Sequence, residues 1–170
     1  MVRNHVIVDA NVAKSAAPGR TGVAKSCYHV AMTLIDGSCQ SGVFMTPALR
    51  EEWRTHASPS MVGWLATMVT RRRVRSESDR RIADFRRLVS NIVDEGIQSA
   101  VEKDAHLTEA AIYYHVPVVS QDARQRRYLC DMVGEYPLLG ALQWTNPCTD
   151  QDWEQWIREG CLDPEPFRLA

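Results

Sequence analysis

The stretch "HVIVDANVAKS", residues 5–15, decides the fold. Val6, Ile7 and Val8 make a short β-branched run ended by polar residues, which reads as a buried strand over residues 4–9. The strand closes on a carboxylate, Asp9, with Asn11 two positions later. A second run of the same kind, Val116-Pro117-Val118-Val119, ends at Ser120-Gln121-Asp122. In open parallel sheets the site lies beyond the carboxyl ends of the strands. Asp9 and Asp122 are therefore expected to project from one edge of the same sheet.

The remaining pattern supplies the other elements. "SAAPGRTG" (15–22) is a loop punctuated by Pro18 and Gly19. Val23, Cys27, Val30, Ala31, Leu34 and Ile35 recur at helical spacing, and "VFM" (43–45) is a second strand. Thr46-Pro47 and Ser58-Pro59 are helix starts, with a hydroxyl at the N-cap and proline at the first helical position. "TRRRVRSESD" (70–79) reads as a charged connection. Ile82, Phe85, Leu88, Val89, Ile92 and Val93 share the face of a longer helix, interrupted at Gly96. Helices are expected over 103–115 and around 123–133, an edge strand at "LQW" (142–144), and a last helix over Asp150–Glu159. Such alternation predicts an α/β domain with a mainly parallel central β-sheet flanked by helices on both faces. The 170 residues are expected to form one domain, with 141–170 packed on it as an extension.

Composition narrows the functional classes. The formal net charge is -1, so no global field favours nucleic acid, and any such binding must come from a local patch. Of the 20 basic residues 17 are arginine, and eight of these lie between Arg71 and Arg87. The segment from Thr149 onward is acidic. The 5 cysteines are scattered without a CxxC pair, which disfavours a zinc site or a disulfide framework and points to a reduced, cytoplasmic setting. No signal peptide is read, and no window approaches the roughly 18 apolar residues of a membrane span.

Four carboxylates have suggestive placements. Asp9 and Asp122 follow strands, Glu52 sits one turn into the helix begun at Thr46-Pro47, and Asp104 lies near the start of "DAHLTEAA". Each has an ordinary role open to it: turn residue for Asp9, solvated helix residue for Glu52, dipole partner for Asp104, N-cap for Asp122. Taken together, converging carboxylates repel one another unless a hard divalent cation neutralises them. Oxygen ligands suit Mg²⁺ or Mn²⁺, which can activate water and polarise a phosphodiester. Glu51 competes with Glu52 on sequence alone. Glu52 is preferred, because it can reach the strand ends if Leu49 and Trp53 face the core.

Taken in order, these motifs resemble the PIN-domain nucleases. The "hhhDxN" start is matched by Val6-Ile7-Val8-Asp9-Ala10-Asn11, and the helix glutamate by Thr46-Pro47-Ala48-Leu49-Arg50-Glu51-Glu52. "KDAHLTEAA" followed by "VVSQD" is similar to a bacterial PIN-like subgroup. The resemblance is strongest over residues 4–130. It implies a Rossmann-like fold and a metal-dependent endoribonuclease. Asp9, Glu52, Asp104 and Asp122 would hold Mg²⁺ or Mn²⁺, and Asn11 and Ser120 would support the site. His106, two residues past Asp104, would make either a helix-surface hydrogen bond or a metal or phosphate contact. Such nucleases often serve as toxins paired with an antitoxin protein or in defence against phage, and often form homodimers. Those roles are expectations of the resemblance.

Arg71, Arg72 and Arg73 could track an RNA backbone or form a solvated face, and Arg124, Arg126 and Arg127 lie at the rim of the expected site. Arg80, Arg81, Arg86 and Arg87 are read as solvating a helix face, partly paired with Asp84. Trp53 and Trp64 fit core positions, and Trp153 and Trp156 fit either core or an oligomer contact. Two alternatives accompany the ribonuclease reading. One is an inactive PIN-like scaffold or RNA-binding adaptor. The other is a haloacid-dehalogenase-type phosphatase, which would need a second Asp where this chain has Asn11.

Overall fold

A computed structural model of the chain describes residues 1–2 and 4–170. Five strands, β1 (Asn4–Val8), β2 (Ser41–Met45), β3 (Val74–Ser76), β4 (Val118–Val119) and β5 (Trp144–Thr145), form one sheet in the order β3-β2-β1-β4-β5. Every pairing is parallel. The protein is α/β and Rossmann-like, with the order reversing between β1 and β4. The central strands read as unbroken apolar runs because both faces are covered: Val6, Val8, Val43, Phe44, Met45, Val118 and Val119 are wholly buried.

The helices form two groups. α1 (Ala10–Ser15), α2 (Gly22–Ile35), α3 (Pro47–His56), α4 (Pro59–Thr70) and α9 (Trp153–Arg158) pack together around α1 and α2. α6 (Glu95–Lys103) packs against α5 (Ala83–Ser90), α7 (Ala105–Tyr114) and α8 (Ala123–Met132). Right-handed crossovers require this division, since the chain moves outward from β1 to β3 and then returns to lay β4 on the far side of β1. Trp53 Nε1 donates to the Val8 carbonyl at 2.9 Å, and Trp64 Nε1 to that of Ala31 at 2.8 Å, so both indoles are buried with their polar ends satisfied. Trp153 and Trp156 are also core, on an α9 that packs against α2.

Several local expectations change. The residues straight after Asp9 form α1, a helix too short for its period to declare itself. β3 lies inside the charged stretch "TRRRVRSESD"; it is a three-residue edge strand with Arg75 and Ser76 exposed. The break between α5 and α6 falls at residues 91–94 rather than at Gly96. Asp94 caps α6 by accepting the Ile97 N–H at 2.9 Å, which leaves Gly96 inside the helix. "LQW" overlaps the strand only at its last residue: the strand is Trp144–Thr145. Arg86 is not a solvated residue. Its Nε and Nη2 donate to Glu109, which is 1 % exposed, at 2.8 and 2.7 Å. Among the described residues no helix is long and apolar enough to cross a membrane.

The largest correction concerns Arg71, Arg72 and Arg73. They precede β3 and so lie at the amino end of the sheet, opposite the edge where Asp9 sits. Arg73 is buried, and its guanidinium donates to the carbonyls of Asp36, Cys39 and Ser41 at 3.0, 2.6 and 2.8 Å. Arg71 donates to the Ile35 carbonyl at 2.9 Å. Arg71 and Arg73 thus staple the α2–β2 connection to the sheet, which gives part of the arginine run a structural role. Arg73→Ala should leave these carbonyls without their donor. In urea unfolding it is expected to destabilise by about 2–4 kcal/mol, whereas the exposed Arg72→Ala should change stability by less than about 0.5 kcal/mol.

Candidate functional site

The strand order reverses between β1 and β4, and a crevice opens there beyond their carboxyl ends. The Asp9 N–H still pairs with the sheet, donating to the Val119 carbonyl at 2.9 Å. The chain then turns into α1, and Asp9 becomes its N-cap, with Oδ1 accepting the Asn11 N–H at 3.2 Å. Oδ2 accepts the Ser120 hydroxyl at 2.7 Å. Ser120 Oγ in turn accepts the Asn11 side-chain amide and the Asp122 N–H, both at 3.1 Å. Asn11 and Ser120 are therefore positioning residues that lock the end of β1 to the end of β4.

A further set of bonds sets the loop after β4. Gln121 Nε2 donates to the Asn11 carbonyl and to Ser15 Oγ, both at 2.7 Å. Asn146 Nδ2 donates to the Gln121 carbonyl at 3.2 Å. Asp150 accepts the Asn146 N–H at 2.9 Å and Arg126 Nη1 at 2.8 Å. Arg126, expected to meet RNA, is thus half-buried and committed to an ion pair, whereas Arg124 and Arg127 remain exposed.

Asp9, Glu52, Asp104 and Asp122 line one cavity of about 210 Å³, with Asn11 on its wall and Lys14 and Lys103 beside them. Glu52 enters from α3, whose Thr46 N-cap accepts the Leu49 N–H at 3.3 Å. Leu49 and Trp53 are buried, so Glu52 falls on the flank facing the crevice, while Glu51 points outward and pairs with Arg54. Asp104 sits at the junction of α6 and α7 and caps neither with its side chain. Asp122 caps α8, its Oδ1 accepting the Arg124 and Gln125 N–H groups at 2.9 and 3.0 Å. The ordinary N-cap role and the site position thus coincide at Asp9 and Asp122.

The electrostatics are those of crowded acids. Burial pushes Asp9 up to about 6, against the lowering effect of its bonds from Ser120 and Asn11, and the charges of Asp104 and Glu52 add to the rise. Burial also raises Asp104; Glu52 and Asp122 reinforce that rise against Lys103 and His106. His106 Nε2 lies 3.3 Å from Glu52 Oε2, at ion-pair distance but off hydrogen-bond alignment. Burial alone would lower this imidazole, but Glu52, Asp104 and Asp9 outweigh it and raise it above the usual histidine value.

No family model, no curated protein and no solved structure matches this chain. The case for the site rests on its own chemistry. Four carboxylates with hydroxyl and amide support are the donors a hard, oxygen-preferring cation takes, and their mutual repulsion is what such a cation would relieve. The side chains share a cavity rather than a point. Among the described residues no three acids, histidines or cysteines are grouped closely enough to hold a metal ion as they stand.

Sequence reasoning missed Lys14, Lys103, Gln121 and Asn146. Lys103 adjoins Asp104 in sequence, but Lys14 reaches the cavity only because α1 exists. Gln121 and Asn146 act mainly on backbone carbonyls far away in sequence and leave no pattern.

The raised Asp9 value has a signed consequence for stability. The native carboxyl holds its proton to about pH 6 while the unfolded one loses it near 3.8, so stability falls as pH rises between these values and is then level. The native-state cost at neutral pH is about 3 kcal/mol. Asp9→Asn should therefore stabilise the metal-free protein at pH 7.5 by about 1–2 kcal/mol in thermal melts, with the gain absent at pH 4. A loss of stability at pH 7.5 would show that the carboxylate is better paired than its burial implies.

Proposed function

We propose that this chain is a divalent-metal-dependent ribonuclease of the PIN type. The observation that carries the reading is the buried Asp9, at the strand-order reversal, sharing a cavity with Glu52, Asp104 and Asp122. Such a concentration of acids destabilises the native state, and proteins retain costly electrostatics of this kind mostly where function uses them. The order of motifs, similar to that of PIN nucleases, supports the same reading.

Asp9, Glu52, Asp104 and Asp122 would hold Mg²⁺ or Mn²⁺. A cation bound there supplies Lewis-acid activation of water and neutralises charge at the phosphodiester. The protein's own groups do the rest. Ser120 keeps the Asp9 carboxylate aimed across the end of β4, and Asn11 fixes the Ser120 hydroxyl. Lys14 and Lys103 place ammonium groups on the cavity wall, where phosphate oxygens would meet them. His106, 3.3 Å from Glu52, would steady that carboxylate from behind the cavity wall.

An adaptor that binds RNA without cutting it is the second reading. It is favoured by the same acids standing apart, with Asp122 engaged as an N-cap. The two separate in one assay. Purified protein should cleave single-stranded RNA with Mn²⁺ or Mg²⁺ and stop on chelation. Asp9→Asn and Asp104→Asn should each lower the rate by more than about 100-fold, beyond the roughly 10–100-fold typical of losing a supporting partner, which is the range expected for Ser120→Ala. Glu51→Gln should cleave like the wild type. Binding of RNA without cleavage under all these conditions would establish the adaptor.

A further inference from the structure

The acid cavity is not isolated. It shares Lys103, Asp104 and Asp122 with a groove of about 540 Å³ between α6 and α8, which also holds Arg124, Arg127 and Tyr128. Ile97 and Tyr128 are common to that groove and to an apolar pocket of about 320 Å³, walled by Leu88, Ile92 and Met132. A continuous trough thus leads from the carboxylates along α8, polar at its near end and mainly apolar at its far end, where Asp131 and Glu135 stand on the wall.

The groove wall sets three cations, Lys103, Arg124 and Arg127, beside three acids, of which Asp94 and Asp122 already accept helix N–H groups. Among the described residues no carboxylate forms an ion pair with Lys103, Arg124 or Arg127, whereas Arg86, Arg126 and Arg158 are all paired. Arg124, Arg127 and Tyr128 stand at i, i+3 and i+4 on α8 and so share one face of it. Asp131 and Glu135 are the acids of the trough's far end.

The Arg127 guanidinium lies over the Tyr128 ring, 5.6 Å from its centroid. A guanidinium near the edge of its reach over an aromatic ring puts a planar cation and a π-face side by side. Unpaired nucleobases stack on such faces, while bases inside a duplex have theirs already covered.

We propose that the α6–α8 trough is a base-stacking subsite for single-stranded nucleic acid, with Arg127 and Tyr128 as its platform. Lys103 and Arg124 take the phosphates between that platform and the acid cavity. The placement of the subsite as one flank of a cleavage site rests on the ribonuclease reading; the stacking itself does not.

The test is fluorescence anisotropy of labelled oligonucleotides, RNA and DNA, at low salt with chelator, so that nothing is cut. The wild type should bind a single strand more tightly than the duplex of the same sequence. Arg127→Lys keeps the charge but loses the plane, and Tyr128→Leu loses the ring beneath it. Each should weaken single-strand binding by about 5–10-fold while leaving an abasic strand unaffected, and the conservative Tyr128→Phe should bind like the wild type. The proposal is overturned if Arg127→Lys leaves single-strand affinity unchanged, or if it weakens base-bearing and abasic strands equally. The two readings fail separately. Stacking-dependent binding without cleavage in Mn²⁺ removes the nuclease and keeps the subsite. Cleavage by Arg127→Lys at the wild-type KM removes the subsite and keeps the nuclease.

Discussion

The hydrogen bond from the Ser120 hydroxyl to Asp9 Oδ2 spans 111 residues of sequence, and the arrangement of the site depends on it. It exists because β1 and β4 lie side by side in the sheet, with Ile7 opposite Val118 and Val8 opposite Val119. The carboxylate it holds is almost wholly out of water. Burial of that kind normally costs several kcal/mol unless the group is neutralised or well bonded. Here the bonds from Ser120 and the Asn11 backbone recover only part of that cost, so the acid stays well above its ordinary pKa. The surrounding structure must supply the rest through packing, and the sheet beneath is built for this. Val6, Val8, Val118 and Val119 are fully buried and allow the ends of β1 and β4 little freedom to relax.

From this anchor the rest of the site follows by connection. Asn11 bridges to Ser120 and Gln121, Gln121 bonds back to α1, and Asn146 and Asp150 carry the restraint on to β5. Asp122 is placed by the same loop, through its backbone bond to Ser120 and its cap on α8. Capping and site placement do not compete for Asp122 as a whole. The cap engages one carboxylate oxygen, Oδ1, and the residue still reaches the cavity wall.

What could be read from the sequence was whatever obeys a period or a local rule. "VIV" and "VPVV" announced buried strands, Thr46-Pro47 and Ser58-Pro59 announced helix starts, and together they led to the parallel sheet. Glu52 was favoured over Glu51 by reasoning from Leu49 and Trp53, and it is Glu52 that lines the cavity. α1 escaped because six residues are too few to show helical periodicity. β3 escaped because an edge strand of three residues needs no apolar face and can be spelled with arginine. Arg73 escaped for a different reason: an arginine bonded to three buried carbonyls looks, in sequence, like its exposed neighbours Arg71 and Arg72. Nothing short of the tertiary structure separates them.

That distinction also resolves the chain's near-zero net charge. A total of -1 seems to argue against polyanion binding, but it says nothing of where the charges lie or which are already held by partners. Arg73 holds backbone carbonyls, Arg86 holds Glu109, Arg126 holds Asp150, and Arg158 holds Asp36 and Glu154. Among the described residues Lys103, Arg124 and Arg127 form no ion pair, and they gather on one side of the acid cavity. The field a ligand meets there is set by which charges are left unpaired, not by their sum. In this chain the unpaired cations border the same acids whose own charge is most costly, so the two signs meet along one crevice that no total can reveal.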